Sequence, residues 1–173
     1  MYRTRSNFIW LGEGVTMTGS TQADFDFINA RLRAADYAET QVFDAGRPDA
    51  LADMERSWTI RDGAYVVGFI ASRIFADQSP MAHQRFIVQL TTEYVWRIKM
   101  KYVRFSRAVL RAFVENAPAW VTDFYTLPMK AYTGAVRWDE RILRMHRVRE
   151  VDVEGVPHVL FHITRQEVEK WQR

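Results

Sequence analysis

Cysteine is absent from the 173 residues. Disulfides, thiolate metal centres and cysteine nucleophiles are therefore excluded together. Histidine is scarce: His83, His146, His158 and His162 are the four. His158 and His162 lie in VPHVLFHIT, which alternates as a strand does. Four residues along a strand separate them by about 13 Å on one face, too far for one metal ion, so no metal site is expected. Long apolar runs are missing as well, and none approaches the roughly 18 residues that a membrane-spanning helix needs. The opening stretch MYRTRSNFIWLGEG carries two arginines and then only four consecutive apolar residues. That is shorter than the apolar centre of a secretory signal, and the chain is expected to stay in a cytoplasm or be assembled there.

What is present is ample core material. Apolar residues make up 48% of the chain and aromatics 14%, enough to fill the interior of one domain of ordinary size. The net charge of +3 is modest but unevenly spread. Residues 20–62 hold five basic and nine acidic residues, a net of −4, whereas residues 85–111 hold seven basic residues and only Glu93, a net of +6. Such asymmetry suits head-to-tail contact with a charged partner or attraction to an anion; a solvated surface is the plainer account.

Residues 1–13 read as an N-terminal arm, followed by a single domain over 14–173. The arm holds Phe8, Ile9, Trp10 and Leu11 with no pattern that continues, and these must either fold back on the domain or dock on a neighbour. A short strand is expected at Val15–Thr18. Ser20 and Thr21 then supply N-cap chemistry for a helix through Phe25, Ile28, Leu32 and Ala35. Pro48 and Asp49 open a second helix. Trp58–Ile60, the turn Asp62-Gly63 and Tyr65–Ala71 make a hairpin, and Phe86–Leu90 is a buried-type strand. Lys101–Asn116 is helical, with an apolar stripe at Phe105, Val109, Ala112 and Phe113 and a basic one at Arg104, Arg107 and Arg111; Pro118 ends it. A strand at Trp120–Tyr125 and a helix over about Met129–Leu143 follow. Val148–Val153 and Val156–Ile163, joined at Glu154-Gly155, form a closing hairpin. Strands joined partly by tight turns and partly by helices imply a mixed α/β sheet with helices on both faces.

This order resembles the GNAT acyltransferase fold. In that family a strand leads into a loop of pattern Q/R-x-x-G-x-G/A at a helix start, where backbone N–H groups hold the pyrophosphate of acyl-CoA. The matching stretch is Lys101-Tyr102-Val103-Arg104-Phe105-Ser106. Lys101 fits the first position, but Arg104 and Ser106 stand where the glycines belong, and an arginine side chain there is expected to fill the pyrophosphate's space. A second family landmark, N-x-x-A-x-x-L-Y-x-x-x-G-F, is also altered. Tyr132 replaces its asparagine, Asp139 the tyrosine that the family uses as general acid, and Leu143-Arg144 its Gly-Phe. The pieces RLRAADYAE, SWTIRDGAYVVGF, YVRFSRAVL, GAVRW and GVPHVLFHI, in that order, also resemble small internal-virion or head-assembly proteins of short-tailed phages.

The resemblances together imply a virion structural or assembly protein in which a degenerate acyltransferase-like domain serves as a docking module, with no enzymatic activity and no cofactor. It would be found in the virion after assembly in the host cytoplasm, in several copies within a symmetric assembly. Its partners would be capsid, portal or tail components. Docking would fall to Phe8, Ile9, Trp10 and Leu11 and to Arg104, Arg107 and Arg111. The alternative is a working N-acyltransferase with Glu93 as base and Lys101 and Arg104 holding coenzyme A. Nucleic-acid binding through the arginine stripe is a third reading.

Overall fold

A computed structural model describes residues 8–24, 26, 27, 30, 58–74, 84–90, 104–119, 121–153 and 155–171. The chain divides into two compact units, one of residues 1–72 and 88–105, the other of residues 73–87 and 106–173.

In the first unit, Phe8–Gly12 (β1) and Val15–Gly19 (β2) form an antiparallel hairpin. Its turn runs through Gly12, Glu13 and Gly14, with φ of 114°, 48° and 82°. Two glycines make this left-handed passage cheap, and Glu13 follows at a cost that a side chain normally avoids. Trp58–Asp62 (β3) pairs with β2, and Tyr65–Ile74 (β4) pairs with β3, both antiparallel, giving the order β1-β2-β3-β4. The expected turn at Asp62-Gly63 is there, with Gly63 at φ 58°. Alternation sorts the faces. Val15, Met17, Trp58, Ile60 and Ile70 are buried, as is Val67 beside the β3–β4 bulge.

The residues expected in an arm lie in β1, folded back onto the sheet. Phe8 and Trp10 face outward, 58% and 68% exposed, while Ile9 and Leu11 are half-buried. The N-cap reading at Thr21 also holds: Asp24 N donates to Thr21 Oγ1, Thr21 N donates to Asp24 Oδ2, and helical residues follow from 22. Asp24 also takes a bond from Arg61. Burial by itself would raise its carboxyl, but the bonds from Thr21 and Arg61 leave it below the usual range. The second predicted helix, opened by Pro48 and Asp49, lies outside the described residues.

In the second unit, Gln84–Leu90 (β5) runs parallel to Asp123–Thr126 (β6). Between them in sequence comes the helix Ser106–Asn116 (α1). His146–Val153 (β7) and Val156–Thr164 (β8) form the closing hairpin, and β8 pairs with β6, so the order is β5-β6-β8-β7. The apolar stripe of α1 is buried at Val109, Leu110, Ala112 and Phe113. The Phe113 ring meets Phe124 edge-on at 6.1 Å.

The helix expected over Met129–Leu143 is shorter and changes pitch. Thr133–Arg137 (α2) is a single turn of α-helix, and Trp138–Ile142 continues it as a π turn. Met129 instead bridges His158 of β8. A further helix, Arg165–Glu169 (α3), follows β8 directly. Its capping box has Thr164 Oγ1 accepting from Glu167 N while Thr164 N donates to Glu167 Oε2.

Candidate functional site

The approach to α1 is the first place to look, because unpaired N–H groups and the helix dipole make a helix start attractive to anions. The first turn of α1 contains no acidic residue. Arg104 and Phe105 form the turn before it. Arg104 does not fold inward. Its side chain is 49% exposed, and Nη2 donates to the carboxylate of Glu13 in the β1–β2 turn. Its guanidinium carbon lies 5.0 Å from the centroid of the Phe105 ring, and Phe105 is 8% exposed. Ser106, at the second altered glycine position, is buried. Lys101 and Glu93 lie outside the described residues.

Arg107 and Arg111, expected as a docking stripe with Arg104, make bonds within their own unit. Arg107 Nε donates to Ile142 O at 2.8 Å, and its guanidinium lies over the Trp171 ring. Arg111 donates to Glu115 and to Trp171 O. The stripe therefore ties α1 to the end of the π turn and to the segment after α3. Phe8, Ile9, Trp10 and Leu11, the other expected docking residues, are those of β1 described above.

A second feature escaped the sequence reading. Asp139, which stands where the family resemblance places a tyrosine, is 6% exposed and accepts a bond from Thr126 Oγ1 of β6 at 2.7 Å. Burial raises its carboxyl to about 7, and the Thr126 bond offsets only part of that. Thr126 Oγ1 also lies 3.8 Å from Met145 Sδ. A neutral Asp139 could donate to Thr126, leaving the threonine proton for the sulfur; an ionised one takes the threonine proton itself. Such a carboxyl, turned into the core, anchors the π turn to β6 and does not present a proton at the surface. Beside it, Trp138 Nε1 is buried without a partner. Nothing in the local sequence distinguishes Asp139 from a surface aspartate, so only the tertiary placement reveals it.

A third group lies on the β6, β8 and β7 strands. His162 and Asp123 meet at 2.8 Å, and the Tyr125 ring lies 4.8 Å from the His162 ring. Burial and the neighbouring Asp123 charge raise the Tyr125 hydroxyl. His146, the strand partner of His162, bonds Glu167. This bond and those from Thr164 bring the Glu167 carboxyl down to about 2. His158 Nδ1 lies 2.7 Å from Val156 O. Among the described residues no group of three or more histidines and carboxylates is placed to hold a metal ion, and no helix is long and apolar enough to cross a membrane.

No family model matches the chain, and no curated protein matches it. Solved structures do. A protein described as a GnaT-family acetyltransferase from Bordetella pertussis superposes with a TM-score of 0.68 at 13% identity, covering 91% of this chain and 99% of its own. The aminoglycoside acetyltransferase AAC(6')-Ib, with ribostamycin and coenzyme A, gives 0.66 at 17% identity over 93% and 99%. A chimeric spermidine N-acetyltransferase built from Vibrio cholerae SpeG and hSSAT gives 0.64 at 12% identity over 92% and 100%.

These structures overturn two expectations. The reading as a phage virion component finds no support, and the reading as a non-enzyme runs against neighbours that are acetyltransferases, some with coenzyme A bound. Arg104 bonds Glu13 in the β1–β2 turn, with its side chain half exposed. The chain has the mixed α/β fold of GNAT acetyltransferases.

Proposed function

We propose that this chain is an acyl-CoA-dependent N-acyltransferase that transfers an acyl group to the amino group of a small molecule. The observation that carries the reading is the likeness, over about nine-tenths of the chain and nearly the whole of each neighbour, to acetyltransferases, two of them described as acting on aminoglycosides and on spermidine. The start of α1 fits an acyl donor: its acid-free first turn suits a pyrophosphate.

The donor supplies a thioester whose carbonyl the free amine attacks; the C–N bond forms, the C–S bond breaks, and the sulfur leaves as the thiol, taking the proton that the amine nitrogen gives up. The chain's contribution to holding the donor is the positive field of the α1 start. Asp139 takes no part at the reacting atoms, because its carboxyl is enclosed against Thr126. Its contribution is to fix the turn that Arg107 also grips through Ile142 O.

Lack of cysteine makes the test clean, since a thiol reagent then reads only released coenzyme A. The protein is incubated with acetyl-CoA and a panel of aminoglycosides and polyamines, and binding of acetyl-CoA is measured in parallel by calorimetry. Amine-dependent thiol release is the expected result. No acetyl-CoA binding at millimolar concentration, with no thiol release, overturns the reading.

A further inference from the structure

The strand β1 ends the order of the first unit, and among the described residues no strand lies beyond it. One side of its backbone therefore faces away from the sheet. Edge strands commonly carry charged side chains or a proline that discourage a further strand. The end strand of the second unit, β7, follows that pattern, with Arg147, Arg149, Glu150 and Asp152 all exposed. The sequence of β1, FIWLG, holds no charge and no proline, and its one irregularity falls after Trp10. Phe8 and Trp10 stand outward, 58% and 68% exposed, beside Thr18 and Thr16, their register partners on β2.

The alternation of a strand limits what fits such an edge. Side chains alternate between faces, and the backbone groups that point off the edge alternate with them. Two copies of one strand that pair antiparallel about a two-fold axis satisfy both periods only in registers that bring like faces together. The register centred on Ile9 sets Phe8 against the second copy's Trp10, and Trp10 against its Phe8. Each exposed ring then meets another. Charge points the same way. Arg3 and Arg5 precede β1 and Glu13 follows it. Antiparallel pairing brings the start of one strand to the end of the other, and in this register Arg5 counts opposite Glu13 twice. Glu13 bonds Arg104 but remains 61% exposed, so its carboxylate is reachable. Exposed pairs of this kind add little strength, and their part is to set direction.

We infer that β1 is a docking edge for a second copy of this chain, the two β1 strands lying antiparallel and centred on Ile9. The contact is isologous and closes at two copies. It accounts for two large aromatic side chains standing in water on a strand without charge. It stands apart from the acyltransferase reading and does not depend on it. About five residues from each copy is few against the 20–30 of a standard interface, so the association is weak, with a Kd on the order of 10–100 µM.

Sedimentation of the full chain at concentrations rising to about 500 µM is the first measurement. A monomer–dimer equilibrium is expected. A chain that stays monomeric throughout, or that grows past two copies, overturns the proposal. Trp10→Lys removes a ring and places a charge on the edge. Trp10 is exposed, so the fold should tolerate the change, and urea unfolding checks that it does. The variant is expected to dimerise at least about tenfold more weakly; a smaller loss puts the contact elsewhere and overturns the proposal. Register is read separately by disulfide trapping, which no native cysteine confuses. Position 9 opposes its own counterpart, and directly paired residues lie about 4.5–5.5 Å apart, so Ile9→Cys is expected to cross-link under mild oxidation. Position 11 lies four residues, about 13 Å, along the strand from its counterpart, so Leu11→Cys is expected to stay reduced. Any other pattern overturns the antiparallel register centred on Ile9.

Discussion

Replacing Asp139 with asparagine tests the burial argument directly, because the variant stays neutral at every pH. In the folded chain burial pushes the Asp139 carboxyl up to about 7, from an ordinary value of 3.8. Between those values the unfolded chain releases this proton and the folded chain keeps it. The folded state then binds more protons, so stability falls as pH rises from about 4 to about 7 and levels off above. A gap of roughly three units at 1.36 kcal/mol each sets an upper figure on the order of 4 kcal/mol at pH 8. Asparagine keeps an acceptor for Thr126 Oγ1 but adds an N–H₂ group to a site that is 6% exposed. If the added donors find no acceptor, that costs about 1–3 kcal/mol at every pH. The variant should therefore be less stable than the parent at pH 4.5. At pH 8 the balance should move in the variant's favour by about 2–4 kcal/mol relative to the acid value. Urea unfolding of both proteins at the two pH values measures this. If the stability difference between them changes by less than about 0.5 kcal/mol from pH 4.5 to 8, Asp139 does not titrate in that window and the burial argument fails.

Three further outcomes follow from groups at helix ends. Arg165 donates to the carbonyls of Val114, Ala117, Pro118 and Val121 at 2.7–3.3 Å, gathering the C-terminal end of α1 and the loop after it. Burial lowers its pKa from the ordinary arginine value, though it remains a cation at neutral pH. Arg165→Ala should cost about 2–4 kcal/mol in urea unfolding, since several carbonyls lose a charged donor at once; a loss below about 0.5 kcal/mol would mean that water replaces those bonds without cost. Thr164→Ala removes the N-cap of α3 and should cost about 1 kcal/mol. Part of the support for this helix is pH-dependent. The Glu167 carboxyl, held at about 2 by His146 and Thr164, contributes above its ordinary value of 4.5, and the contribution is lost as pH falls toward 2. Glu167→Gln should accordingly flatten the acid limb of the stability profile, and an unchanged limb would count against the pairing.

Much of the frame was readable because local chemistry and tertiary packing agree. Asp62-Gly63 between two β-prone runs and the alternation around Gly155 each specify a hairpin whose register needs no distant partner. The 3–4 spacing of Val109, Ala112 and Phe113 announces a helix with one buried face. Other elements were misread where local signals conflict. Phe8–Leu11 is apolar throughout, so its strand alternation is hidden until Phe8 and Trp10 are seen outside and Ile9 and Leu11 are half-buried. The Gly12-Glu13-Gly14 turn was the signal that could have revealed the hairpin. Residues 165–169 are too few to show helical periodicity; Thr164 and Glu167 at capping-box spacing were the available sign.

By itself the sequence determined the succession of hairpins and helices, the lack of any thiol chemistry, and the likeness in order to an acyltransferase fold. Those depend on neighbours along the chain and on composition. The tertiary structure alone decided that Arg104 bonds Glu13 in the β1–β2 turn, that Arg107 and Arg111 make bonds within their own unit, and that Asp139 lies in the core against Thr126. Glu13 and Arg104 are 91 residues apart and Thr126 and Asp139 are 13 apart. A side chain's direction, and with it its charge state and its partner, depends on which distant backbone passes within hydrogen-bond reach, and residue spacing along the chain carries no record of that distance.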